Sequence, residues 1–142
     1  MTIKLDKPAL EAFLRKDFSE VSDVLSIESV TSDAVTLHML PNANHIRPGN
    51  TVSGPAMFLL ADVALYFAIL SKAGPVALAV TTNAHMDFMR KPAAGVPLLG
   101  EARLLKLGKR LAVGQVAIRN PGVPEVLAQA SMTYAIPPAE AV

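Results

Sequence analysis

Polar and apolar positions change period several times along the chain, and each change marks a different element. Residues 7–17 (KPALEAFLRKD) place Leu10, Phe13 and Leu14 at helical spacing, with Pro8 suited to a first turn. The stretches 24–30 (VLSIESV) and 34–40 (AVTLHML) read as strands joined by Thr31-Ser32-Asp33. In the second, Val35, Leu37 and Met39 alternate with Thr36 and His38, so one face is expected to be buried. Residues 41–53 (PNANHIRPGNTVS) form the longest apparent loop, and long loops in compact domains are more often functional than short connectors. An apolar helix then runs through 56–70 (AMFLLADVALYFAIL), with Ser53 as N-cap, Pro55 in its first turn and Gly74-Pro75 as its stop.

Four strand-like segments follow. Across 76–89 the even positions Val76, Leu78, Val80, Thr82, Ala84, Met86 and Phe88 form one face, and Thr81, Asn83, His85 and Asp87 supply a polar second one. Segments 97–107 and 111–119 are separated by Gly108-Lys109-Arg110, a hairpin-type connection. The last, 126–134, sets Val126, Ala128, Ala130, Met132 and Tyr134 against Leu127, Gln129, Ser131 and Thr133, and Pro137-Pro138 ends it. Consecutive strands with one helix set among them predict an α+β domain, an antiparallel sheet wrapped on the apolar helix with a short helix ahead of it. There is no internal repeat or linker, so residues 1–142 read as one domain.

Composition sharpens this picture. The 142 residues are 51% hydrophobic and only 18% charged, below the roughly 25% of an average soluble protein. So little charge predicts that part of the surface is covered by copies of the same chain. A formal net charge of +1, no Trp and two Tyr argue against a nucleic-acid footprint or an anionic-membrane partner. The absence of Cys excludes disulfides, thiolate chemistry and zinc–thiolate sites. The N-terminal MTIKLDKPALEAFLRKDF is charged throughout and lacks the apolar run of a secretory signal, so a cytoplasmic location is expected. The 56–70 run is shorter than the roughly 20 residues of a spanning helix and carries an Asp, so a core helix is expected instead.

That Asp is the chemical outlier. Asp62 is the one carboxylate in 56–70, and burying it unpaired is expensive, so a partner, an opening to solvent or a raised pKa is expected. A carboxylate satisfied by a neighbouring hydroxyl, or set in a subunit interface, fits the same pattern without any catalysis. Tyr66 lies one turn later on the same face. At the helix start, Thr51-Val52-Ser53-Gly54-Pro55 offers backbone N–H groups where negative charge is welcome, including the oxyanion developing on a thioester carbonyl. Simple capping explains the same residues. Gly54 precedes Asp62 by eight residues, about 12 Å along a helix, so one chain cannot bring both to one carbonyl carbon.

Taken in order, TVSGPAMFLLADVA, then DFMRKP, then LGKR resembles the PaaI-like branch of hotdog-fold acyl-CoA thioesterases over about residues 40–135. That branch carries His-Gly-Gly, six residues, then Asp or Glu, and later a Gly-Lys/Arg turn between two long strands. The resemblance implies a central helix wrapped by a curved antiparallel sheet, with active sites at a homodimer interface. It assigns Asp62 as general base or nucleophile and the Gly54 N–H of the facing subunit as carbonyl polariser. A polar side chain on the next strand often assists; Thr82 has the expected inward register, with Asn83 beside it. Three positions depart from the pattern: Ser53 stands for His, Pro55 for the second Gly, and Arg47 where several relatives have Asn. Arg47 could instead hold an anionic part of the ligand, and His45 and Ser53 join it as substrate-side candidates. The basic pairs Arg90-Lys91 and Lys109-Arg110 lie where the resemblance implies contacts to the nucleotide of coenzyme A, although solvated turns use the same residues.

His38, His45 and His85 show no metal-ligand spacing, and neither a serine-hydrolase elbow nor a phosphate loop is present. The expectation is an acyl-CoA thioesterase acting on an aryl or medium-chain acyl group. It needs no cofactor beyond the coenzyme A of its substrate, and it forms a dimer or a homotetramer built as a dimer of dimers. Two alternatives stand beside it. One is a non-catalytic acyl- or CoA-binding protein, suggested by Ser53 and Pro55. The other is a hydratase or dehydratase, which would need a His such as His45 beside Asp62.

Overall fold

The computed structural model describes residues 2–76 and 78–138. Helix α1 (Lys7–Asp17) opens with Asp6 accepting from the Ala9 N–H and buries Leu10 and Leu14. Strands β1 (Leu25–Val30) and β2 (Val35–Met39) follow as an antiparallel hairpin. The expected loop at 41–53 is more ordered than its composition suggests. It holds a 3-10 turn (Ala43–His45) and a two-stranded ribbon, β3 (Ile46–Arg47) with β4 (Thr51–Val52), which turns at Asn50 in the left-handed region (φ 59°). Each strand is two residues long, too short for hydrophobic alternation to reveal it.

Helix α2 (Gly54–Ala73) starts at the Ser53 cap and stops at Gly74, as its end signals predict. Strands β5 (Val80–Phe88), β6 (Leu98–Leu107), β7 (Leu111–Arg119) and β8 (Ala128–Ala135) complete the chain. Of the expected 76–89 strand, the part before Val80 is not strand, and Ala77 lies outside the described residues.

The main sheet has the order β1-β2-β6-β7-β8-β5, every pair antiparallel. It wraps α2, whose Leu60, Leu65, Phe67, Ile69 and Leu70 have no exposed surface. Close approach depends on glycine in the sheet. A Cβ on Gly100 would sit 2.9 Å from Leu60 Cγ, and one on Gly114 would run into Leu65. At the far end of α2, buried Lys72 donates from Nζ to Thr31 O (3.0 Å), tying the helix to the β1–β2 turn. Among the described residues α2 is the one helix long and apolar enough to cross a membrane, yet 72% of that stretch is buried in the fold, as befits a core helix. The architecture is the expected hotdog: one long helix in the hollow of a curved antiparallel sheet.

One edge of this sheet is conspicuous. β5 pairs with β8 on one side and leaves its other side open. Its ends carry exposed Val80 (57%) and Phe88 (52%), next to exposed Leu78 and Met89. Long apolar edges invite another strand.

Candidate active site

Asp62 is half-buried on α2, and two hydroxyls converge on it. Thr81 Oγ1 and Tyr134 OH each lie 2.6 Å from Asp62 Oδ1, the length of O–H···O⁻ bonds to a carboxylate. Tyr134 OH is also 2.9 Å from the Asp62 backbone O, so its single proton serves the main chain and side chain of one residue. Both hydroxyls use Oδ1. Among the described residues no donor reaches Oδ2, and Asp62 lines a groove of about 310 Å3. That groove is walled by Phe18, Leu59, Val63, Tyr66, Ala79 and Val80.

The threonine is not the one the strand pattern selects. Thr82, expected to face the helix, instead donates to Thr133 O and is exposed. A β-bulge between Thr81 and Asn83 is the cause. Beyond it, Ala84, Met86 and Phe88 pair with buried Met132, Ala130 and Ala128 and share their face of the sheet, although Ala84 and Phe88 stay exposed at this open edge. Ahead of it, Thr81 pairs with Tyr134, and both turn inward onto Asp62. One extra residue thus re-aims a side chain, a recurrent use of bulges beside active sites. Asn83 lies on the exposed outer face opposite Thr133 and does not join Asp62.

Tyr66 shares the Asp62 face, as its spacing implies, and lines the same groove. Its ring stacks on Tyr134 (centroids 6.1 Å, 27°) and meets Phe18 edge-on at 5.4 Å. Burial, and secondarily the charge of Asp17, push its phenol up to about 12. Burial pushes the Tyr134 phenol up as well, reinforced by its bond to Asp62, so both rings stay protonated donors at neutral pH.

Gly54 opens α2 at the other end of the site. Ser53 Oγ accepts from Ala56 N–H, Ser53 O accepts from Met57 N–H, and Pro55 has no N–H. Among the described residues the Gly54 N–H has no acceptor, and it lies in a groove of about 390 Å3 with Arg47, Thr51, Met57, Phe88, Arg90 and Lys91. Arg90 also pairs with Glu125 at 2.9 Å, both being exposed. The candidate Ser53 is therefore a cap, and its own N–H donates to His45 O (2.7 Å). His45 is occupied likewise: Nδ1 accepts from Asn42 N–H and closes the 3-10 turn, and no His lines the Asp62 groove among the described residues.

The two grooves share no residue within one chain. The basic pairs separate too. Arg90 and Lys91 border Gly54, while Lys109 and Arg110 line a cleft at the opposite end of α2 with Lys4 and Lys72. No cluster of three or more His, Asp or Glu suited to a metal occurs among the described residues. The strand pattern missed Thr81 because a bulge has no signature in alternation. It missed Tyr134 as a site residue because the contact spans 72 positions, although a hydroxyl on an otherwise apolar strand face was the available signal.

A long helix in a curved sheet, with a carboxylate lining an open groove, defines a hotdog architecture with a candidate acid–base site. The family model of the thioesterase superfamily matches residues 49–127, more than half the chain, so this protein belongs to the thioesterase superfamily and is a thioester hydrolase. A candidate thioesterase of known structure from Silicibacter sp. TM1040 is 47% identical, with TM-score 0.90 over 97% of this chain and 96% of that one. Zebra fish thioesterase superfamily member 2 superposes with TM-score 0.82 at 22% identity, covering 94% of this chain and 100% of that one. The E. coli PaaI protein, from the phenylacetic acid degradation operon, gives 0.74 at 22% identity over 91% of this chain and 97% of that one. These last two show the shared fold. A search of curated proteins finds no match.

Proposed function

We propose that the protein is an acyl-coenzyme A thioesterase whose active site is completed across a homodimer, with the Gly54 N–H from one subunit and Asp62 from the other. The observation carrying this reading is the Asp62 carboxylate itself, held through Oδ1 by two hydroxyls and lining an apolar groove.

The open edge of β5 supplies the geometry. Gly54 lies against Phe88 at the C-terminal end of β5: a Cβ on Gly54 would meet the Phe88 ring at 3.5 Å. Asp62 lies against Thr81 at the other end. Antiparallel pairing of β5 with its own copy about a two-fold near Ala84 sets Phe88 of one subunit opposite Val80 of the other. Gly54 then approaches Asp62 of the partner subunit, and the two grooves join. The same operation brings the Lys109-Arg110 end of one subunit toward the Arg90-Lys91 end of the other. This suits a substrate with an apolar acyl group and a polyanionic arm.

In this site Asp62 Oδ2 takes a proton from water as the water oxygen attacks the thioester carbonyl carbon. The Gly54 N–H receives the oxyanion, and collapse of the tetrahedral intermediate expels the coenzyme A thiolate, which is then protonated. Ser53 and Pro55 do not weaken this reading, because the cap they form leaves the Gly54 N–H open. They favour no purely ligand-binding role. With His45 committed to its turn, a hydratase lacks its second group within the protomer. No cofactor enters the scheme.

Thiol release from a panel of acyl-CoAs tests the reading. Wild type turns over at least one of them, and Asp62→Asn falls about 100-fold or more with its melting temperature intact. Equal activity in the variant, or no thiol release by wild type, overturns it.

A further inference from the structure

The groove beside Asp62 has two lining residues from outside the segment shared with the superfamily model, Phe18 and Tyr134. Leu59, Asp62, Val63, Tyr66, Ala79, Val80 and Thr81 all fall within the matched span 49–127; Tyr134, which holds Asp62, and Phe18, the C-cap of α1, do not. α1 is anchored by buried Leu10 and Leu14, which fixes where its last turn delivers the Phe18 ring. That ring meets Tyr66 edge-on at 5.4 Å, and Tyr66 lies one helical turn past Asp62, on the side away from Gly54. Leu59, Asp62, Val63 and Tyr66 mark out a track along α2, and Phe18 packs over its far end.

We infer that Phe18 is the specificity-determining residue of this thioesterase, the end wall that limits the acyl group to compact chains or single rings. The inference rests on the acyl-CoA reading above and deepens it. The groove at Gly54 holds Arg47, Arg90 and Lys91, which suits the anionic arm. The groove at Asp62 is apolar except for Asp62, Thr81 and the phenols, which suits the acyl group. A chain entering past Asp62 runs along Val63 toward Tyr66 and meets Phe18 after about 6 Å, the rise of the four residues from Asp62 to Tyr66. Truncating Phe18 opens that end, and each further methylene buried there favours binding about fourfold. Phe13 is the internal control. It packs on Tyr66 (6.1 Å) and Phe67 in the same aromatic cluster but does not line the groove.

The test measures kcat/KM for straight-chain acyl-CoAs from four to sixteen carbons and for benzoyl-CoA, in wild type, Phe18→Ala, Phe18→Trp and Phe13→Ala. Phe18→Ala should raise the ratio of twelve-carbon to six-carbon kcat/KM about tenfold or more. Phe18→Trp should lower it, and Phe13→Ala should leave it within about twofold. The opposed directions keep the test decisive if one variant folds poorly. A chain-length profile unmoved by both Phe18 variants, or moved equally by Phe13→Ala, overturns the assignment while the thioesterase reading stands. Absence of turnover by wild type on every substrate overturns both.

Discussion

The first turn of α2 and the turn that carries Asp62 belong to one helix and are opposites in chemistry. The first offers a bare N–H and a groove edged by Arg47, Arg90 and Lys91. The second offers a carboxylate gripped by Thr81 and Tyr134 and walled by apolar side chains. One end suits negative charge, the other suits a general base beside an apolar chain. Eight residues of helix, about 12 Å, keep them apart in a single chain. In the proposed mechanism each is half of a site, and β5, which touches both and leaves its outer edge open, is the element that would join them.

The contrast can be broken at either end. The larger effect is expected at the first turn from Gly54→Pro, which replaces the N–H with a ring methylene. Proline suits a first helical position, Ser53 already has the extended conformation that precedes proline (φ −71°, ψ 155°), and a Cβ at Gly54 meets Phe88 at an ordinary 3.5 Å. Loss of one oxyanion donor predicts a fall in kcat of roughly 100- to 1,000-fold, read by thiol release with the melting temperature unchanged. At the second turn, Tyr134→Phe keeps the ring stacked on Tyr66 but drops the hydroxyl on Asp62. A hydrogen bond to a charged group is worth about 1.5–3 kcal/mol, so kcat should fall about tenfold or more while KM holds. A Tyr134→Phe enzyme with full kcat would show that this grip is structural.

The smallest effect is on stability. The Tyr66 phenol is raised from its ordinary value near 10 to about 12, so ionisation is harder in the fold than in the unfolded chain. Its contribution is fully present below pH 10 and is lost as pH rises from 10 through 12. Denaturant midpoints should decline over that window, and Tyr66→Phe should flatten part of the decline. An unchanged slope in the variant would show that Tyr66 ionises as easily folded as unfolded.

The two halves were unequally legible from the chain. The apolar helix, its Ser53 cap, its Gly74 stop and the lone Asp62 could be read directly, because capping chemistry and a carboxylate in an apolar run are local signals. The first helix, 7–17, matches α1 for the same reason. The grip on Asp62 could not. Alternation points to Thr82, and one bulge residue hands the role to Thr81. Tyr134 and Phe18 reach the groove from opposite ends of the chain through tertiary packing that no local period encodes. Within the 41–53 loop the Ser53, His45 and Asn42 bonds make a scaffold out of residues whose chemistry alone suggested ligand contact.

Hybrid dimers test the joining of the two ends most directly. Asp62→Asn and Gly54→Pro subunits, each inactive alone, are co-expressed with different tags, and the doubly tagged dimer is compared with a random mixture. If each site takes Gly54 from one subunit and Asp62 from the other, every hybrid holds one intact site. Random mixing makes about half the dimers hybrid, so about a quarter of wild-type thiol release should return. Purified hybrids should then show about half of wild-type activity. If hybrids stay as inactive as either parent, both groups act within one chain and the composite site is wrong.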